Sequence, residues 1–238
     1  AEPEQWRELA DRCHSSGKRC VLAMPVIFRK QGEADFDRCF CALTEAGFDG
    51  LLVRSLDEIG YLKRRSPGTA VYGDHHLYQF NSVSREMLRQ LGCARTTLPL
   101  ELNGRELESL GCRGSDLIGY GLMPAMASAQ CVLQTVKGCS HVPQWLDMKD
   151  RTGKELPVRN HCRYCYNLIY NPDPLSLIDQ GDRIRKLAPD QVRLQFTRET
   201  KEDMERITKA WVDMLFYDRT GKRTPGDFTR GHFKRGVE

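Results

Sequence analysis

Short apolar runs alternate with amphipathic stretches of about ten residues along this chain, and that alternation constrains its fold more than any other feature. A helical pattern over 4–16 ends near Gly17, and "CVLAMPVIF" (20–28) follows as a buried strand. A helix over 34–46 stops at Gly47, and "GLLVRS" (50–55) is the next strand. "SLDEIGYLKRR" reads as a helix, with Ser55 as cap and Glu58 three residues on. "TAVYGDHHLYQF" (69–80) is strand-like at its start, and "NSVSREMLRQLG" is a helix beginning near Asn81. "ARTTLPLEL" is a strand, "NGRELESLG" a short helix and "DLIGYGLMP" (116–124) another strand. From 126 to 171 the rhythm stops, and the segment reads as an irregular, Cys-rich insertion with a small hairpin. It then resumes with a helix "PLSLIDQGDRIRKLA", a strand "QVRLQFT" (191–197) and a long amphipathic helix "ETKEDMERITKAWVDMLFYD". In that last helix Met204, Ile207, Ala210, Trp211, Met214 and Leu215 share the face expected to meet the core.

The expected class is therefore α/β, with about six βα strands in a parallel, TIM-barrel-like arrangement. A complete barrel has eight. Either the sheet is open, or the chain is the later part of a barrel whose opening strands are supplied elsewhere. One partial barrel domain is expected over 1–218, with the Cys-rich segment inside it, and a basic, Gly-rich tail over 219–238.

Composition narrows the setting. Among 238 residues, 40% are hydrophobic and 29% charged, as in ordinary globular proteins, and the net charge of +4 is too mild to imply nucleic acid or anionic lipid. No apolar run is long enough to cross a bilayer, and the first residues lack the apolar core of a signal peptide. A cytoplasmic, reducing location is the expectation, and there ten cysteines point to metal binding or burial rather than disulfides.

Cys131, Cys139, Cys162 and Cys165 fall in the one irregular segment, separated by seven, twenty-two and two residues. The close pair brings two thiolates to one centre with little loop entropy to lose. Four soft donors suit zinc or an iron–sulfur cluster, and the wide first spacing tilts toward a cluster. Cys13, Cys20, Cys39, Cys41, Cys93 and Cys112 lie on helices or at strand starts, where plain burial explains them.

Other candidates follow strand-like runs, at the presumed carboxyl rim where parallel α/β folds carry their chemistry. His75 and His76 stand beside Asp74 and could bind a metal or shuttle protons. Arg54, Asn81, Glu101 and Arg198 are placed to hold substrate, the arginines by gripping a carboxylate or phosphate. No G-x-S-x-G elbow and no H-E-x-x-H motif occurs, which argues against a serine hydrolase and an ordinary zinc protease. His161 adjoins Cys162, but catalytic Cys–His pairs are assembled by the fold rather than by sequence neighbours. Arg219, Lys222, Arg223, Arg230, His232, Lys234 and Arg235, interleaved with Phe228 and Phe233, could contact RNA by phosphate pairing and stacking; the phenylalanines also suggest packing on the domain.

The stretches "YGLMPAMASAQC", "GC", "DRTGKELPV" and "HCRYCYNLIYN" resemble peptidase family U-32, the collagenase-like peptidases, and "FTRGHFKRGV" resembles the ending of its long members. The resemblance runs from "CVLAMPVIF" onward. It implies an α/β barrel, with the strands here corresponding to its third to eighth, and an N-terminal part of a longer parent protein that completes the barrel. It implies a four-iron four-sulfur cluster, as in members that support hydroxylation of ubiquinone precursors or of RNA bases. Cys131, Cys139 and Cys162 match three positions of the family pattern. A further ligand precedes the Cys131 position in some members; Pro124 stands near there, and Cys165 would replace it. The expected function is oxidative modification of RNA or a small aromatic substrate. The alternatives are a collagenase-like peptidase acting on peptides with structural zinc, or a non-catalytic binding half of a larger protein.

Overall fold

The computed structural model describes residues 3–66, 68–217 and 226–237. The chain divides into two compact units, Ala1–Pro99 and Leu100–Glu238.

In the first unit the order is α1 (Pro3–Ser15), β1 (Val21–Ala23), α2 (Lys30–Glu45), β2 (Gly50–Val53), α3 (Leu56–Arg65), β3 (Val71–Gly73), a 3-10 turn (His75–Leu77), α4 (Ser82–Gln90) and β4 (Cys93–Thr97). The strands pair in sequence order and in parallel, with Val21 opposite Gly50, Leu51 opposite Val71 and Val71 opposite Cys93. Met24, Val53, Ile59, Leu62 and Leu88 fill the space between sheet and helices. The capping box of α3 forms as the sequence suggests: Ser55 Oγ accepts from the Glu58 amide, and Glu58 reaches back to the Ser55 amide. The first strand is shorter than the apolar run 20–28, and Val21 is exposed. Met24 N–H still reaches Leu52 O, but Pro25 has no amide to continue the ladder.

The second unit holds α5 (Gly104–Leu110), β5 (Ser115–Gly121), β6 (Pro124–Ser128), α6 (Val132–Lys137), β7 (Trp145–Lys149), β8 (Glu155–His161), β9 (Tyr166–Tyr170), β10 (Leu175–Ser176), a 3-10 turn (Ile178–Gln180), α7 (Gly181–Leu187), β11 (Gln191–Gln195) and α8 (Lys201–Tyr217). Strand β11 pairs with β5 in parallel, and β10 pairs with β5 antiparallel. Helix α8 buries Ile207, Trp211 and Met214, the centre of the face read from the sequence. Gly119 lets this helix approach the sheet: a Cβ there would stand 2.5 Å from the Trp211 ring. Strands β1 to β5 and β11 thus form a (β/α) succession of six, an incomplete TIM-barrel-like α/β fold.

Two expectations need correction. The segment 126–171 is not irregular: β6, β9, β8 and β7 form a four-stranded antiparallel sheet in that order. Its 150–154 turn closes the small hairpin expected in this segment, with Asp150 Oδ1 accepting from the amides of Thr152 and Lys154. Nor is 174–188 one helix. Leu175 and Ser176 are held extended as β10 against β5, with Ser176 N–H bonded to Thr229 O and Leu177 N–H to Gly119 O, and α7 begins only at Gly181. The described part of the tail packs within this unit. Phe233 is buried, Arg230 Nε donates to Asp179 Oδ2 at 2.7 Å, and Thr229 forms a bridge with Leu175. Arg219, Lys222 and Arg223 lie outside the described residues. No helix among the described residues is long and apolar enough to cross a membrane.

Candidate metal centre

Strands β8 and β9 form a hairpin whose last pair is His161 opposite Tyr166, with the two rings stacked at 4.6 Å. The four residues between them, Cys162 to Cys165, are the turn. Cys165 takes a positive φ of 50° there, so the close pair sits at the two ends of one tight reversal. Cys131 and Cys139 flank the short helix α6. Cys131 occupies its N-cap with no side-chain capping bond, and Cys139 follows the C-cap Gly138.

Two buried asparagines tie these parts together. Asn160 and Asn167 face each other across β8 and β9, one rung below the turn. Asn167 Nδ2 donates to Gln130 O at 2.9 Å, which fixes the chain just before Cys131. Asn160 Oδ1 accepts from Gln144 N at 2.5 Å and its Nδ2 reaches Val142 O at 3.5 Å, which fixes the chain just after Cys139. The same Nδ2 lies 3.4 Å from Cys162 Sγ. Nothing in the sequence pattern singled out these two residues; their signal is a polar side chain one step inside each strand, on either side of a Cys-x-x-Cys turn.

Electrostatics agree with this convergence. The Cys162 thiol is pushed up from its ordinary value, first by burial, then by the charges of Cys139, Cys131 and Cys165, with Arg159 opposing. Cys162 thus lies within electrostatic reach of the other three thiols, and a cation bound among them would favour their ionised form. The donor set fits zinc or an iron–sulfur cluster. Elsewhere the cysteines are less suited: burial pushes Cys93 up to about 11, and Cys112 Sγ contacts Leu107 O.

The remaining candidates separate into groups. Arg54, Asp74, His75 and His76 meet just beyond the ends of β2 and β3. Arg54 Nε donates to Asp74 Oδ2 at 3.0 Å, and its Nη1 donates to Met24 O at 2.5 Å. His75 Nδ1 lies 3.0 Å from Asp74 Oδ1, and His76 Nδ1 lies 3.6 Å from Asp74 Oδ2. Glu58 is wholly buried beside them and accepts from the Arg54 and Ser55 amides. Asn81 instead caps α4, its Oδ1 accepting from Ser84 N at 2.9 Å. Glu101 lies past β4 with Oε2 buried and without a hydrogen-bond partner among the described residues. Arg198 follows β11, pairs with Asp147 at 3.2 Å and lies against the Trp145 ring.

Comparison with known proteins gives a family and one distant fold likeness. The model of peptidase family U32 matches residues 2–216. No curated protein matches the sequence. A solved structure from Streptococcus agalactiae, described as the copper homeostasis protein CutC, aligns with a TM-score of 0.39 and 11% identity, covering 50% of this chain and 71% of that one.

Proposed function

We propose, from the premise that this chain belongs to peptidase family U32, that Cys131, Cys139, Cys162 and Cys165 hold an iron–sulfur cluster serving oxidative modification, a hydroxylation of RNA or of a small aromatic substrate. The observation that carries this reading is the pair Asn160 and Asn167, which anchors both flanks of α6 to the hairpin turn bearing the other two thiols. The wide first spacing, seven residues between Cys131 and Cys139, favours a cluster, whose ligands come from separate loops, over zinc with its two close pairs. A cluster in this frame would supply one-electron transfer.

The turn also presents Arg163 and Tyr164 between the two cysteines, with the guanidinium over the ring at 6.0 Å. A cation beside an aromatic face suits a phosphate and a stacked base, which supports RNA as the substrate class. With six of eight barrel strands present, two strands from the N-terminal part of a longer parent would complete the barrel.

Metal analysis of protein purified without oxygen tests the reading. About four iron and four sulfide per chain, with broad absorption around 400 nm, are expected. Serine at any one of the four positions should abolish stoichiometric loading. Full metal retention in all four single variants would sink the assignment. One zinc and no colour would make the site structural and move the function to peptide cleavage, the second reading that a Cys-x-x-Cys turn admits.

A further inference from the structure

We propose that Asp74, His75 and His76 form a second metal site, in the first unit, for a divalent transition ion such as Zn²⁺, Fe²⁺ or Co²⁺. This goes beyond the cysteine centre and uses none of its residues.

The cluster is the one place among the described residues where three ligand atoms of His, Cys, Asp or Glu lie within 4.8 Å of one another. Two imidazoles and a carboxylate are borderline donors that favour this class of ion over Mg²⁺ or Ca²⁺. The ligands are held before any ion arrives. Asp74 sits directly after β3, and its backbone N–H bonds to Val53 O at 2.8 Å. His75 and His76 begin a 3-10 turn capped by Asp74 itself, whose Oδ1 accepts from His75 N at 2.9 Å. The two rings lie 4.0 Å apart and tilted by 38°, so they present their nitrogens to the same carboxylate.

Two further observations point to a ligand here. His76 Nδ1 is buried but stands too far from Asp74 for a normal hydrogen bond. Glu58 Oε1 is buried with no hydrogen-bond partner among the described residues, although its other oxygen accepts two amides. Arg54 is the competing cation on Asp74 Oδ2. Its second anchor on Met24 O lets it remain as an outer partner while the ion binds the Asp74 carboxylate and one nitrogen of each imidazole. Binding releases whatever protons those nitrogens carry.

Cobalt titration separates this site from the cysteine centre. Thiolate-bound Co²⁺ absorbs strongly in the near ultraviolet, whereas imidazole and carboxylate ligands give only weak visible bands. A chain with Cys131→Ser and Cys162→Ser should retain one equivalent of Co²⁺ with the weak bands alone. In the same background, His76→Phe keeps the ring stack and removes a ligand. It should lower affinity beyond the roughly 10–100-fold typical of losing an outer partner. Circular dichroism checks that both variants fold. If the serine variant misfolds, the comparison moves to the otherwise unaltered chain, where His76→Phe should remove one equivalent and leave the thiolate band unchanged. The proposal is overturned if the serine variant folds but binds no cobalt, or if His76→Phe binds as tightly as its parent. Neither result bears on iron and sulfide at the cysteines.

Discussion

Asn160 contacts three points of the chain that converge on Cys162, and all of them pass through one side-chain amide. Replacing it by Ala leaves the part-buried Gln144 N–H without its acceptor, a loss of about 1 kcal/mol measurable by denaturant unfolding. The same variant should weaken metal binding by roughly 10–100-fold in a competition with chelator, because it loosens the support of two ligands and breaks neither. Glu58 gives a second test at this scale. Its carboxyl titrates near 4.5 when unfolded and about 7 when folded. The native state therefore holds the proton more tightly, so stability is greatest below the lower value and falls as pH rises through the upper one. Unfolding followed from pH 4 to 8 should show that decline, worth up to roughly 3 kcal/mol, and Glu58→Gln should flatten it. An unchanged slope in the variant would assign the pH dependence to other groups.

Elements built on strong local chemistry are the ones legible from sequence. Helix α3 announces itself through Ser55 and Glu58, and Ser55→Ala should cost about 1 kcal/mol, read as a lower midpoint in thermal unfolding. Helix α8 shows its core face through Ile207, Trp211 and Met214. Gly119→Ala should be worse than the loss of a cap, since its methyl group would meet both Trp211 and Val192; overpacking of about 1–3 kcal/mol is expected in the same measurement. What escaped the sequence was set by distant partners. Strand β6, "PAMAS", has no β-branched residue and becomes a strand by pairing with β9. Strand β10 owes its two residues to Gly121 and Thr229 on either side. That four cysteines share one segment was legible. The asparagines that position them were not, because an inward-facing Asn looks like any other until its rung is known.

At the scale of the whole chain, the βα alternation conveyed the class of fold, while the division at Pro99 left no mark in composition. That division makes metal loading local in its effects. Hydrogen exchange on protein with and without the cysteine-bound cluster, no divalent ion being added, should show added protection over 126–170, while amides of β2 to β4 change little; equal protection throughout would mean that the two units respond as one. The return of 226–237 has a consequence for biosynthesis. Gly104 N–H, the first amide of α5, ends on Phe233 O, and Ser176 N–H ends on Thr229 O. A nascent chain on the ribosome that has emerged only as far as α8 has neither acceptor. The second unit thus cannot reach its final hydrogen bonding while residues 226–237 are still in the exit tunnel.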